Sequence, residues 1–216
     1  MVWLHPVAVA TAPSQTTRIE RRRAAVRDEA LAHALALMSE EGVGALSVSE
    51  VARRMGIRGP SLYKYFPSRH GLYDALFARA LAGEGAAVEA AIEDVPRGVP
   101  RLKAGGAAVV RWAMENPALA QLLHWRAVPG FEPSPEVFAR SQHSTGDVRE
   151  EFAEAVRLRQ LSPAADSEDA VRLWTVVLSG LVTQQMANEP GRGYAEGAFS
   201  RLTETALEQF LSAYRR

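Results

Sequence analysis

The sequence predicts an all-α fold on three observations. Val and Ile sit inside Ala- and Leu-rich stretches of 3.6-residue period and do not form alternating runs bounded by turns. Those stretches are punctuated by helix signals. Ser47, Ser68, Ser134 and Ser167 stand where N-caps belong, Pro60, Pro117 and Pro135 where a first turn tolerates proline, and Gly42 and Gly56 where a helix stops. The 216 residues are 47% apolar and 23% charged with no cysteine, which is globular composition without a disulfide frame.

Residues 1–17 carry no charge, and their apolar start lacks the positive residues that precede a secretion signal's apolar stretch. They read as a leader, and with the arginines up to Arg23 the expectation is a flexible basic arm over 1–23. A first helix is expected over 24–41, with Val26, Ala30, Ala34, Leu37 and Met38 on one stripe. Ser47 caps a short helix to Met55, and Glu50 three residues on suits a capping box. Gly59-Pro60-Ser61 opens a helix over 61–66, which Pro67 stops. Two short helices joined by a glycine-containing turn make a helix-turn-helix.

From Ser68 a long helix is expected to about residue 94, softened at Gly83 and Gly85. Helices over 102–115 and 117–125 follow. The next is expected over 135–161 with an interruption at 144–146, and the last two over 168–188 and 194–214.

The formal net charge is zero, but it is unevenly distributed. Residues 18–69 carry ten basic against six acidic groups, and residues 70–216 carry fifteen against nineteen, so +4 is followed by −4. Such asymmetry fits a basic binding module joined to a mildly acidic one. In the helix-turn-helix, Leu46, Val51, Ala52, Ile57, Leu62 and Phe66 supply the apolar contacts that let two short helices bury each other. Ser61, Tyr63, Lys64 and Tyr65 are left to point outward, with Arg58 and Gly59 in the turn. An exposed aromatic-basic-aromatic triplet suits phosphate, which tyrosine hydroxyls and lysine ammonium groups bind well.

The run from Leu46 to Arg69, LSVSEVARRMGIRGPSLYKYFPSR, followed by Leu72 and Leu76, resembles the DNA-binding region of the TetR (tetracycline-repressor-like) transcriptional regulators. The resemblance covers about residues 24–78. It implies that Ser47 and Ser49 touch phosphate or a base edge, and that Arg58, Gly59, Pro60 and Ser61 meet bases or backbone. It implies that Tyr63 and Tyr65 grip phosphates, Lys64 reaches a base or phosphate, and Arg69 contacts phosphate. Gly71 stands where family members often carry an acidic residue, which removes one capping box.

The resemblance divides the chain at residues 24–67, the DNA-binding domain, and 68–216, a helical ligand-binding and dimerisation domain. It implies a homodimeric repressor on a palindromic double-stranded DNA operator, released by a small-molecule effector. An activator with the same contacts, or a helical binding module that no longer engages DNA, are the alternatives. Trp112, Trp125, Phe131, Phe138 and Trp174 are candidates for the ligand cavity or for plain core. The apolar stripes Val171, Trp174, Leu178, Leu181, Val182, Gln185 and Phe199, Leu202, Ala206, Phe210, Tyr214 fit either burial in one subunit or a four-helix dimer seam. The cluster Arg18, Arg21, Arg22, Arg23 and Arg27 fits either a solvated helix start or an arm on DNA, whereas Arg53 and Arg54 read as surface charges.

Enzymatic readings find no support in the motifs: the sequence has no phosphate loop, GxGxxG, HExxH or GxSxG. No cofactor and no metal site is expected, since His124 has no second ligand at chelating spacing. The absence of thiols fits a reducing cytoplasm, and no apolar run reaches the length of a membrane span.

Overall fold

The computed structural model describes residues 15–215, with side chains except at 15, 16 and 140–145. The helices are α1 (Gln15–Glu41), α2 (Val48–Arg54), α3 (Gly59–Tyr63), α4 (Arg69–Ile92), α5 (Val99–Glu115), α6 (Pro117–His124), α7 (Pro135–Arg157), α8 (Glu168–Asn188) and α9 (Thr203–Ser212). Short 3-10 turns at Val43–Ala45, Pro163–Ala165 and Ser200–Leu202 complete the order, and no strand occurs among the described residues.

Several details differ from expectation for physical reasons. Residues 15–23 are the first turns of α1 and not part of a flexible arm, because no Gly or Pro interrupts 15–41 and Arg, Glu and Ala are strong helix formers. Residues 1–14 of that arm lie outside the described residues. α3 starts at Gly59 and ends at Tyr63, earlier than expected at both ends. Pro60 occupies the first turn, and Lys64 is already the C-terminal cap. α4 runs unbroken through Gly83, where an added Cβ would stand 3.2 Å from Trp112 Nε1. α7 continues through Gly146, since one glycine costs a helix only about 1 kcal/mol. It stops at Arg157, and Arg159 then takes a left-handed φ of 59°. The last helix begins at Thr203, not at residue 194, because side chains of α8 capture the preceding backbone. Gln185 Oε1 accepts from the amides of Phe199 and Ser200, and Glu189 Oε2 accepts from that of Ala198.

α5 is the central helix and packs against α4, α7, α8 and α9. One core runs from Ala30 on α1 to Leu211 on α9. At its distal end Trp174 meets Phe152 and Phe210 edge-on, over Gly106, where an added Cβ would stand 2.7 Å from the ring. α6 touches α1, α4 and the Val43–Ala45 turn, so it lies between the bundle and the helix-turn-helix.

Of the two readings of the last helices, burial in the same chain accounts for the α8 stripe. Val171, Trp174, Leu178, Val182 and Gln185 are buried in the chain's own core. The opposite face of α8 is the exposed apolar one, with Leu173 50% and Val176 64% exposed, and Leu202, just before α9, is 45% exposed. The reversal arises because α8 is apolar on both faces, so its period alone does not choose which one turns inward.

Candidate nucleic-acid interface and effector site

The helix-turn-helix is assembled as its pattern requires. Leu46, Val51, Ala52, Leu62 and Phe66 are buried, and Ile57 is half-buried. Ser47 caps α2 by accepting from the Glu50 amide at 3.4 Å. The Glu50 carboxylate leaves the capping box and binds Arg53 and Arg54 instead. Hydrogen bonds from Arg53 and then Arg54 pull its pKa down to about 2. Arg54 is no ordinary surface charge. Its guanidinium lies 2.8 Å from Glu40, 3.5 Å from Glu41 and 3.0 Å from Glu50, and so fastens the end of α1 to α2.

Most of the DNA-contact residues share one outward face. Arg58 is the exposed, extended residue before α3, and Pro60, Ser61, Tyr63 and Lys64 are all exposed. Gly59 has nothing within 4 Å of a built Cβ, which leaves room for a close backbone approach. Ser49 is exposed on α2, and Ser47 is half-buried. The Ser47 hydroxyl uses a lone pair in the cap and keeps its proton for an outside acceptor. Arg69 projects from the first turn of α4 over the Tyr73 ring, with 5.7 Å to the centroid. Tyr65 is the exception: it is half-buried in the turn after α3, packed on the core and covered by Arg23 at 5.9 Å. Ser68 still caps α4, accepting from the Gly71 amide at 3.0 Å, so the missing acidic residue does not disturb the helix start.

The five aromatic candidates do not converge on one cavity. Trp112 is buried against α4, and Trp125 Nε1 donates to Thr183 on α8 at 3.1 Å. Phe131 packs on Tyr73 near the start of α4, Phe138 is 52% exposed, and Trp174 belongs to the distal aromatic cluster. A shallow cleft of about 300 Å³, lined by Val99, Leu161, Leu211 and Arg215 among others, contains none of them.

A polar pair lies beside Trp112, of which the sequence singles out His124 as a possible cavity residue but not Glu84. Glu84, next to Gly83 on α4, places Oε1 2.9 Å from His124 Nε2 at the end of α6. Both atoms are buried and neither makes a well-aligned hydrogen bond to a described residue. Buried polar atoms without a well-aligned partner are rare in folded proteins. The available sequence signal was an acid on the inward side of α4 adjoining a glycine. Trp112, Glu84, His124 and Trp125 thus occupy one level of the bundle, where α4, α5, α6 and α8 meet. Among the described residues no cluster of His, Asp or Glu suits a metal ion, and no helix is long and apolar enough to cross a membrane.

Residues 30–76 match the family model described as bacterial regulatory proteins, tetR family, and residues 102–210 match that of the tetracyclin repressor-like C-terminal domain. Over 128 residues the chain is 30% identical to the HTH-type transcriptional regulator Mb1846 of Mycobacterium bovis, covering 56% of this chain and 54% of that protein. The chain therefore spans about half the length of that curated relative. The fold is similar to that of the TetR family transcriptional regulator PfmR from Thermus thermophilus, with a TM-score of 0.63, 20% identity, and 87% and 99% of the two chains covered. It is also similar to FadR from Bacillus subtilis, solved in complex with stearoyl-CoA, with a TM-score of 0.69, 15% identity, and 87% and 98% covered.

Proposed function

Because the chain belongs to the tetR family of bacterial regulatory proteins, we propose that it is a homodimeric repressor that reads a palindromic operator and is released by a small-molecule effector. The observation that carries this reading is the exposed surface of Arg58, Pro60, Ser61, Tyr63 and Lys64, with Leu62 and Phe66 buried behind it and half-buried Gly59 leaving room for a close backbone approach. The N-terminal residues of α3 meet base edges in the major groove, while Ser47, Ser49, Tyr63 and Arg69 take phosphates. Tyr65 contributes chiefly by fixing the turn after α3.

The second subunit joins through the exposed faces of α8 and α9. Leu173, Val176 and Leu202 are apolar surface with no partner in the chain, and Ser179 and Gly180 permit close helix approach. Two-fold symmetry then sets two copies of α3 about 34–36 Å apart, one turn of DNA.

The effector site of this reading is the level of Trp112, Glu84, His124 and Trp125. A ligand there rests an apolar body on the tryptophans and offers a further hydrogen-bond partner to Glu84 and His124, which face each other at 2.9 Å. The complex of FadR with stearoyl-CoA supports a small-molecule effector for this fold. Binding acts on α4 and α6, and α6 touches the turn that precedes α2. The effector shifts the dimer between two states only as far as it binds them unequally.

The test is the paired variant Tyr63→Ala, Lys64→Ala in a gel shift alongside a sedimentation measurement. The expected result is loss of operator binding by an intact dimer. Wild-type affinity in the variant would refute the assignment.

A further inference from the structure

The arginines ahead of the helix-turn-helix have no role in the site described above, and their placement points to one. Between residues 15 and 27 the chain holds Arg18, Arg21, Arg22, Arg23 and Arg27 against the single acid Glu20. All five arginines are exposed, although they lie on a helix whose later residues are buried in the core. Arg18 and Arg22 have no ion-pair partner among the described residues, and the Arg21 Nε merely donates to the Thr17 carbonyl. Arg23 and Arg27 fix where this basic segment stands. The Arg27 guanidinium donates to the Tyr65 carbonyl at 2.9 Å and lies 4.7 Å above the Phe66 ring, and Arg23 lies over Tyr65. The segment is thereby tied to the end of α3.

We propose that the first turns of α1 form a second DNA surface, which grips the phosphate backbone flanking the half-site and reads no bases. This rests on the DNA-binding reading above. Size decides the mode of contact. An α-helix with side chains is about 10–12 Å across, whereas the minor groove is about 6 Å wide, so this helix cannot enter it as an arm does. The major groove of the half-site is taken by α3. Residues 18 to 27 extend about 14 Å along the helix axis, and one DNA strand presents a phosphate about every 3.4 Å of its axis. A helix of that length has several phosphates within reach of its arginines. Guanidinium forks suit phosphate oxygens in two-point contacts.

The full-length protein carrying Arg18→Ala, Arg21→Ala and Arg22→Ala tests this, with the Arg→Lys triple as the charge-retaining control. Binding is measured by fluorescence anisotropy across a salt series, on a duplex trimmed to the selected site and on one with flanks. Each lost contact lowers the slope of log affinity against log salt by about 0.9, so the alanine triple falls by up to about 3 per protomer while the lysine triple keeps its slope. The wild type gains affinity from the flanks and the alanine triple does not. Equal slopes for wild type and alanine triple would overturn this proposal alone. A wild type that binds neither duplex would overturn the DNA-binding reading as well. Loss of binding to phosphatidylglycerol vesicles with the DNA slope unchanged would assign the surface to lipid and overturn the proposal.

Discussion

The Tyr73 hydroxyl donates a 2.6 Å hydrogen bond to the Val43 carbonyl, with the Tyr73 ring wholly buried. This bond hooks the first turns of α4 to the short turn from which α2 and α3 follow. Burial, more than any neighbouring charge, pushes the Tyr73 hydroxyl above its ordinary pKa, so it stays protonated and able to donate. The bond thus ties α4 to the helix-turn-helix at a defined point.

Tyr73→Phe removes the donor and leaves the Val43 carbonyl buried without it. The expected cost is about 1–3 kcal/mol of unfolding free energy, read from denaturant melts. The substitution should also weaken the effect of any effector on DNA affinity. A variant as stable as the wild type would show that the bond does not hold the two parts together.

Acid should loosen the ion-pair cluster along α2. The folded Glu50 carboxyl, with a pKa of about 2, lies below the ordinary carboxylate value held by the unfolded chain. A depressed acid stabilises the fold above its unfolded pKa, and that contribution is lost as pH falls toward about 2. The melting temperature of Glu50→Gln should therefore lie below that of the wild type at neutral pH and converge with it as pH drops below 4. A gap that stays constant with pH would rule out the Glu50–Arg53–Arg54 cluster as its source.

The Glu84–His124 contact should behave as one unit. Truncating either partner strands the other buried atom at a cost of about 1–3 kcal/mol, whereas replacing both with apolar side chains should cost less than the sum. A double-mutant cycle with Glu84→Leu and His124→Leu, followed by urea denaturation, measures the difference. Additive effects would mean that the 2.9 Å approach carries no coupling.

The sequence made the helix-turn-helix legible in detail. Its caps at Ser47 and Ser68, its buried positions and the exposed Ser61, Tyr63 and Lys64 follow from local chemistry, since two short helices have few ways to bury each other, whereas Tyr65, read as outward, packs on the core. Features decided by distant contacts were not legible. α9 starts late because Gln185, far back on α8, takes the amides of Phe199 and Ser200. Which face of α8 turns inward depends on Gly106 making room for Trp174, and the period of a helix with apolar residues on both faces does not contain that choice. Glu84 and His124, forty residues apart, meet only in the packed bundle. α1 shows a different shortfall: its arginines read equally well as arm or helix until the helix was seen to start at Gln15.

The central claim, that the exposed surface around α3 reads a two-fold operator, is tested most directly by selecting bound duplexes from a random DNA pool with the full-length protein. The account predicts an enriched palindrome whose half-sites lie about one helical turn apart, 34–36 Å. It also predicts that the enrichment disappears with Tyr63→Ala, Lys64→Ala. Recovery of duplexes with no common sequence, or of the same palindrome by the variant, would contradict it.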